Sequence, residues 1–291
     1  MRHKGVSFAT VLVMALAAAS IAVGPVRAAT SQTYIVLYKS QSSPNDAAAT
    51  IQKAGGTLVY NYSEIGVAVA RSDRSTFRDS MMRDNKVEGV TATTAFGSQI
   101  DDGAADDQGD EGDLPNAPAT DSDTFSGLQW DMRQIHTPEA HAITGGSPAV
   151  VVGDIDTGLD KDHPDLQPNI DFANSVSCES GAPNQNPEAW DDHNGHGTHT
   201  AGTIAAASNG IGIVGVAPNV KVAGIKSSND DGFFFPEMVV CSFYWAGTHH
   251  LDVRTTATSS TRTSTTAGTS PTSARSGRPC SERSSSRRAK A

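Results

Sequence analysis

The sequence has no apolar run long enough to cross a membrane. Its most apolar stretch, residues 11–19, is shorter than the roughly 20 residues that a spanning helix needs, so we expect no stable membrane anchor. Basic residues are also scarce, because 22 Lys and Arg stand against 32 Asp and Glu, and the formal net charge is −10. This balance argues against nucleic acid as a partner.

Cysteine is rare too. The chain holds three, Cys178, Cys241 and Cys280, which is compatible with one disulfide in an oxidising compartment and one residue left over. The N-terminus indicates such a compartment. Residues 1–28 combine a basic start, the short apolar run and a small-x-small sequence ending at Ala28, as a secretory signal does. We therefore expect a signal peptide over 1–28 and a secreted, extracellular product.

Acidic residues are concentrated in one segment, 101–123, where they stand among Gly, Ala and Pro. Such a composition cannot bury enough apolar area to offset the entropy of ordering, so we predict a solvated linker over 98–126. A calcium-binding repeat and an acidic interaction motif are the alternatives.

The linker separates two segments with regular hydrophobic patterns. Residues 30–97 indicate a small α+β module, with strands at 34–38, 57–62, 66–70 and 87–93 and helices at 45–54 and 74–83. Residues 127–253 indicate an α/β segment, with a helix at 138–144, a buried parallel strand at 150–155, a helix at 195–207 and a strand at 220–225. The strand–helix–strand order predicts a parallel sheet with flanking helices.

Asp156 directly follows the predicted strand 150–155, and the Thr-Gly pair after it turns the chain. It is therefore expected at the carboxyl edge of the sheet, where α/β folds collect catalytic groups. A carboxylate there could accept a hydrogen bond from an imidazole and fix its tautomer. The same triplet is also typical of a turn, a cap or an aspartic peptidase, and Asp154 is a nearby competitor for the role.

His196 opens the sequence His-Gly-Thr-His-Thr-Ala-Gly-Thr, whose small residues predict a closely packed helix with the imidazole on its first turn. That imidazole suits a general base, which takes a proton from a serine hydroxyl and later returns it to the leaving amine. A metal site is the alternative, because His193, His196 and His199 recur every three residues. We disfavour it because the spacing is not His-Glu-x-x-His.

The order and spacing of the two motifs resemble those of the subtilisin-like serine peptidases. The resemblance continues through the His-Pro-Asp-Leu segment that contains Asp165 and through residues 209–218. It implies a secreted endopeptidase that cleaves protein or peptide substrates through an acyl-enzyme, with Asp156 orienting His196. It also implies a subtilisin-like parallel sheet with flanking helices, of which the N-terminal part is present, and a structural calcium ion with Asp165 and Asn209 as ligands.

By the same resemblance, residues 30–97 are similar to the inhibitory propeptide, of the inhibitor I9 type, that precedes subtilisin-like catalytic domains. Such a module assists folding, blocks the active-site cleft and is then removed. The chain's own propeptide is therefore an expected partner of the catalytic segment. We expect the cut between Phe96 and Gly127.

The resemblance ends at Val253, where the composition changes. Residues 254–291 are half Ser and Thr, lack Leu, Ile, Val and aromatic residues, and hold eight Lys and Arg against one Glu, so they cannot form a core. One interpretation is a disordered, O-glycosylated stalk. We favour a reading-frame error, because codons chosen freely for this tail, with one nucleotide restored, permit a continuation that begins Thr-Asn-Asp-Ser-Tyr-Phe-Val-Asp-Pro.

The catalytic Ser and the oxyanion hole of the subtilisin-like family lie beyond this break, so we predict that the chain as written is truncated and inactive. Ser270, in Gly-Thr-Ser-Pro, superficially resembles the family's Gly-Thr-Ser-Met-Ala but lacks its continuation. Half a parallel sheet also leaves an open edge, which favours aggregation. The alternative functions are a secreted propeptide-type inhibitor and a noncatalytic remnant.

Overall fold

The computed structural model describes residues 30–100 and 122–256. The predicted signal peptide, most of the acidic linker, and the tail beyond Thr256 lie outside these residues. All the described residues belong to one compact unit that ends at Ser259. Among them, no helix is both long enough and apolar enough to cross a membrane.

The first part of the chain forms a four-stranded antiparallel sheet with two helices. The elements are β1 (Gln32–Tyr38), α1 (Ala47–Lys53), β2 (Thr57–Tyr62), β3 (Val67–Ser72), α2 (Phe77–Met81) and β4 (Val87–Ala92), and the strand order is β2-β3-β1-β4. The predicted strands and helices are confirmed. Helix α2 is shorter than predicted, and its two buried side chains, Phe77 and Met81, mark its ends.

Alternation along β1 explains why the helices cover one face of this sheet. Tyr34, Val36 and Tyr38 point into a core that also holds Ile51 of α1 and Phe77 of α2. The opposite face packs against the second part of the chain, because Tyr62 and Val69 share a second core with Trp245. The module therefore has one face for its own core and one face for its neighbour.

The second part of the chain is an α/β structure. Its elements are β5 (Ser98–Gln99), α3 (Trp130–Gln134), α4 (Thr137–His141), β6 (Val151–Asp156), β7 (Val176–Ser177), α5 (Pro187–Trp190), α6 (His196–Ala205), β8 (Lys221–Lys226), β9 (Phe233–Phe234), α7 (Pro236–Thr248) and β10 (Val253–Thr256). Strands β10, β6, β8 and β7 lie in that order in one parallel sheet. The predicted α/β class with a parallel sheet and flanking helices is confirmed.

Several features differ from the sequence expectation or go beyond it. The short elements α3, α5, β5, β7 and β9 were not predicted, and β5 lies in the predicted linker. Helix α4 ends at His141, earlier than predicted. Helix α7 was not predicted; it has a proline in its first turn and buries Cys241 and Trp245. The composition break at Val253 does not interrupt the fold at once, because Arg254–Thr256 continue β10 beside Gly153–Ile155 of β6.

Cys178 and Cys241 form a disulfide that joins the chain after β7 to α7. Both residues are fully buried in the core that the two parts share. The expectation of one disulfide is met, and Cys280 lies outside the described residues.

Candidate active site

Asp156 is the last residue of β6 and lies at the carboxyl edge of the parallel sheet. Its side chain is 1% exposed. One of its oxygens, Oδ1, accepts the backbone N–H of Thr157 at 2.7 Å, so the turn after the strand fixes the carboxylate. Burial raises the pKa of Asp156, and hydrogen bonds from His196 and the Thr157 N–H oppose that rise.

His196 is the first residue of α6, and its Nδ1 lies 2.7 Å from Oδ1 of Asp156. A bond from Nδ1–H to a carboxylate puts the ring proton on Nδ1 and the basic lone pair on Nε2. The imidazole is 24% exposed, so it lies at the rim of the site while its partner is buried. The structure therefore brings the two predicted residues, 40 positions apart in sequence, into direct contact.

The contact depends on how closely α6 approaches the turn after β6. A Cβ atom on Gly197 would overlap the carbonyl oxygen of Gly158, so a side chain cannot be accommodated at this crossing. The backbone N–H of Gly197 donates instead to Oγ1 of Thr157 at 2.8 Å. The small residue after His196 thus permits the approach that places the imidazole on Asp156.

Asp192 also organises this region, and it was missed by the sequence analysis. Its Oδ1 accepts the Thr157 hydroxyl at 3.0 Å and the Gly195 N–H at 3.0 Å, while Oδ2 accepts the Thr198 N–H at 2.9 Å and the Thr198 hydroxyl at 2.6 Å. Burial acts to raise the pKa of Asp192, but these bonds prevail and hold the pKa below its usual range. An aspartate just before a predicted helix start was the available signal, since such residues often cap helices.

Asp154 lies behind Asp156 on the same face of β6. It is 2% exposed, and its carboxyl group contacts the hydroxyls of Thr200 at 2.7 Å and Thr255 at 2.6 Å. Burial raises the pKa of Asp154 to about 7; the hydroxyl of Thr255 opposes the rise, and the charge of Asp156 adds to it. It does not replace Asp156, because Nδ1 of the His196 ring is bonded to Asp156.

Two of the three histidines of the alternative metal reading, His193 and His196, face different groups. Nδ1 of His193 lies 3.3 Å from Asp230, whereas His196 is bonded to Asp156. Within 30–100 and 122–256, no group of three or more His, Cys, Asp or Glu side chains is placed to hold a metal ion. The 2.7 Å contact with Asp156 favours the acid–base reading of His196.

Asp165 contacts the loop of residues 209–213, which begins at Asn209. Asp165 is 3% exposed and its Oδ2 accepts the Ile213 N–H at 2.9 Å, while its Oδ1 is buried without a hydrogen-bond partner among the described residues. Asn209 is exposed, and its Oδ1 accepts the Ile211 N–H at 3.0 Å. The spare carboxylate oxygen of Asp165 is the type of ligand that calcium prefers.

The fold and the site define an α/β protein in which a buried carboxylate holds an imidazole at the carboxyl edge of a parallel sheet. In a comparison with known families, residues 147–287 match the subtilase family, Peptidase_S8. This segment is therefore similar to the subtilase family. The match extends to residue 287, beyond the composition change at Val253.

Individual relatives are similar over less than half of their length. The chain is 39% identical over 122 residues to an intracellular serine protease of Paenibacillus polymyxa, covering 42% of this chain and 36% of that protein. It is 34% identical over 135 residues to subtilisin BL of Lederbergia lenta, covering 46% of each. A solved structure of fervidolysin from Fervidobacterium pennivorans, a keratinolytic enzyme related to subtilisin, matches with a TM-score of 0.56 and 21% identity over 77% of this chain and 35% of that one.

Proposed function

We propose that residues 127–253 derive from the catalytic domain of a secreted serine endopeptidase in which Asp156 orients His196 as the general base. The observation that carries this proposal is the 2.7 Å contact between Nδ1 of His196 and the buried carboxylate of Asp156. In such a pair, Nε2 takes the proton of a serine hydroxyl as it attacks the peptide carbonyl. The carboxylate then stabilises the imidazolium until the proton passes to the leaving amine.

We further propose that the chain as written does not complete this reaction. Ser270 lies outside the described residues and lacks the sequence that follows the nucleophile in the family. The nucleotide sequence across residues 252–256, together with some hundreds of nucleotides downstream, tests the frameshift hypothesis. Codons that cannot yield the continuation Thr-Asn-Asp-Ser-Tyr-Phe in the neighbouring frame would reject it.

A peptidase assay tests the catalytic proposal. The full chain should not cleave a chromogenic peptide library, and a gene restored to the other frame should gain cleavage. In the restored enzyme, Asp156→Asn should lower kcat by roughly 10⁴-fold, because it leaves the wrong imidazole tautomer. An Asp162→Asn control, on a side chain that is 80% exposed, should leave kcat unchanged. Cleavage by the chain as written would overturn our inactivity proposal.

The second proposal is that the module at 30–97 acts as an inhibitor or folding assistant of the catalytic segment or of a related peptidase. Its support is the contact between the two parts. The Tyr62 hydroxyl donates to the carbonyl of Gly181 at 2.7 Å, and the Tyr244 hydroxyl donates to Glu64 at 2.8 Å. Just beyond the module, antiparallel pairing of β5 with β9 adds backbone bonds.

Inhibition in trans tests this second function. We expect residues 30–97, once circular dichroism shows them folded, to inhibit subtilisin-like enzymes at micromolar concentration. Tyr62→Phe should weaken inhibition several-fold, since it removes one hydrogen bond across the interface. A folded module that fails to inhibit at that concentration would count against the function.

We also propose export through residues 1–28 and cleavage between Phe96 and Gly127. N-terminal sequencing of the material secreted by the expressing cell tests both sites. A product that keeps Met1 would contradict the proposal. So would a product whose first residue neither follows residue 28 directly nor lies between Phe96 and Gly127.

Calcium binding by Asp165 and Asn209 is proposed as a structural feature. The ion would neutralise the buried Asp165 carboxylate and tie it to the 209–213 loop. We expect added calcium to raise the melting temperature of the full chain by several degrees and Asp165→Asn to abolish the rise, while Asp162→Asn should preserve it. Equal melting temperatures in calcium and in chelator would refute the site.

A further inference from the structure

Asp154 is a buried acid that the proposed mechanism does not use. It precedes Asp156 by two residues, so both side chains lie on the same face of β6, toward α6. Uncompensated charge at such a buried position is costly, and a buried carboxyl group therefore persists only with partners that match its protonation state. The hydroxyl groups around Asp154 therefore constrain its protonation state.

Thr200 joins the two acids. Its Oγ1 lies 2.7 Å from Oδ2 of Asp154, 3.3 Å from Oδ2 of Asp156 and 3.0 Å from the carbonyl oxygen of Gly197. All three neighbours are oxygen acceptors when both acids are ionised. A hydroxyl carries one proton, so it can donate fully to only one of them.

A proton on Asp154 resolves this conflict. Oδ2–H of Asp154 then donates to Oγ1 of Thr200, and the Thr200 proton is released to donate to Asp156. Oδ1 of Asp154 accepts the hydroxyl of Thr255 at 2.6 Å in either state. The resulting chain of donors runs from Asp154 through Thr200 to Asp156, whose other oxygen holds His196.

We propose that Asp154 is a positioning residue for the Asp156–His196 pair, and that its acid form turns the Thr200 hydroxyl toward Asp156. When Asp154 gives up its proton to water, Thr200 turns back to Asp154, and Asp156 loses that hydrogen bond. A negative charge also appears behind the pair. Both changes favour the imidazolium form of His196, so the basicity of the pair follows the ionisation of Asp154.

The charged groups around Asp154 are consistent with this coupling. Asp156 and His196 are the ionisable groups that act on it from β6 and α6. Lys226 of β8 stands opposite Asp156, but its ammonium group lies 2.6 Å from Asp230. Arg254 is the charged residue of β10, and it is exposed. Burial raises the pKa of Asp154 to about 7, so its ionisation falls near neutral pH.

The test follows the His196 ring in the full chain by NMR of ¹³C-labelled histidine between pH 5 and 9, with His196→Gln to assign the signal. In Asp154→Asn the amide donates permanently and carries no charge. We expect the midpoint of the His196 titration to move to lower pH, corresponding to roughly a threefold or greater change in proton affinity. Thr200→Val removes the donor to Asp156 and keeps the Asp154 acid, so its midpoint should move to higher pH.

Matched variants separate positioning from packing. Thr200→Ser keeps the hydroxyl and should give the wild-type His196 titration curve. Thr203→Val changes an exposed threonine of the same helix and should also leave that curve unchanged. Equal midpoints in wild type and Asp154→Asn, or shifts of the same sign in Asp154→Asn and Thr200→Val, would overturn the proposal. If Asp154 had only a structural role, Asp154→Asn would lower the melting temperature without moving the midpoint of the His196 titration.

Infrared spectra of hydrated films give a second measurement that does not depend on solubility. A protonated-carboxyl band should disappear near pH 7 in the wild type and be missing in Asp154→Asn; its persistence in that variant would assign the proton elsewhere and refute the proposal. The inference rests on Asp156 and His196 being the catalytic pair. Neither measurement needs peptidase activity, so failure of the hydrogen-bond chain and failure of the proposed function are distinguishable.

Discussion

At the scale of single residues, the site depends on Gly197, where an added Cβ atom would overlap the backbone of Gly158. Gly197→Ala should destabilise the protein by about 1–3 kcal/mol, because the overlap forces α6 away from the turn. Gly247→Ala is the matched control, since nothing lies within 4 Å of its added Cβ in helix α7, and it should stabilise by about 0.5–1 kcal/mol. Urea unfolding measures both, and equal effects of the two variants would contradict this account.

Asp154 gives stability a pH dependence whose sign follows from its raised pKa. Between the usual aspartate pKa of 3.8 and the folded value of about 7, the folded protein keeps a proton that the unfolded chain releases. Stability from this group is therefore present in acid and is lost as pH rises through that window. The melting temperature of Asp154→Asn, measured from pH 4 to 8, should fall less than that of the wild type. Parallel curves would show that Asp154 is ionised throughout.

At the scale of helices and strands, the sequence predicts the parts that position the site and misses the part that covers the sheet. The β-branched run before Asp156 predicts β6, and the small residues after His196 predict α6, because each pattern matches one type of packing. Helix α7 was missed because its Val, Phe, Tyr and Trp residues favour strands in isolation. Burial of Cys241 and Trp245 against the sheet overrides that preference.

The hydrogen bonds of Asp192 and Thr200 could not be predicted for a different reason. Each side chain serves groups that come together only after β6, the turn at Thr157 and α6 are packed. Local patterns do not contain that information. The direct contact of Asp156 with His196 could be expected only through the family resemblance.

The disulfide between Cys178 and Cys241 acts at the same scale, because it fixes α7 to the end of β7. It closes a separation of 63 residues, so its loss should cost about 2–5 kcal/mol. The double variant with Ala at both positions should unfold at a lower urea concentration, and reductant should not affect it further. Cys280→Ala should unfold like the wild type. A wild-type midpoint in the double variant would show that packing alone holds α7.

At the scale of the whole molecule, the N-terminal module and the α/β part share a core. Tyr62 and Val69 of the module pack with Cys178, Cys241 and Trp245 of the second part. The module therefore covers apolar surface that its removal would expose. This shared core favours a module that supports the folding of its neighbour, and it connects the proposed inhibitor role to stability.

Two buried tyrosines of the module allow a matched test of this coupling. The Tyr62 hydroxyl donates to Gly181 across the shared core, whereas the Tyr38 hydroxyl is buried with no partner among the described residues. Tyr62→Phe should lower the free energy of unfolding of the full chain by about 1 kcal/mol, because it leaves the Gly181 carbonyl without its donor. Tyr38→Phe should be neutral or stabilising, since it removes an unsatisfied polar atom from the module's own core.

Tryptophan fluorescence during urea unfolding reports the second part, because all three tryptophans lie there. If Tyr62→Phe left that transition unchanged, the module and the α/β part would be energetically independent, and the proposed folding role would fail.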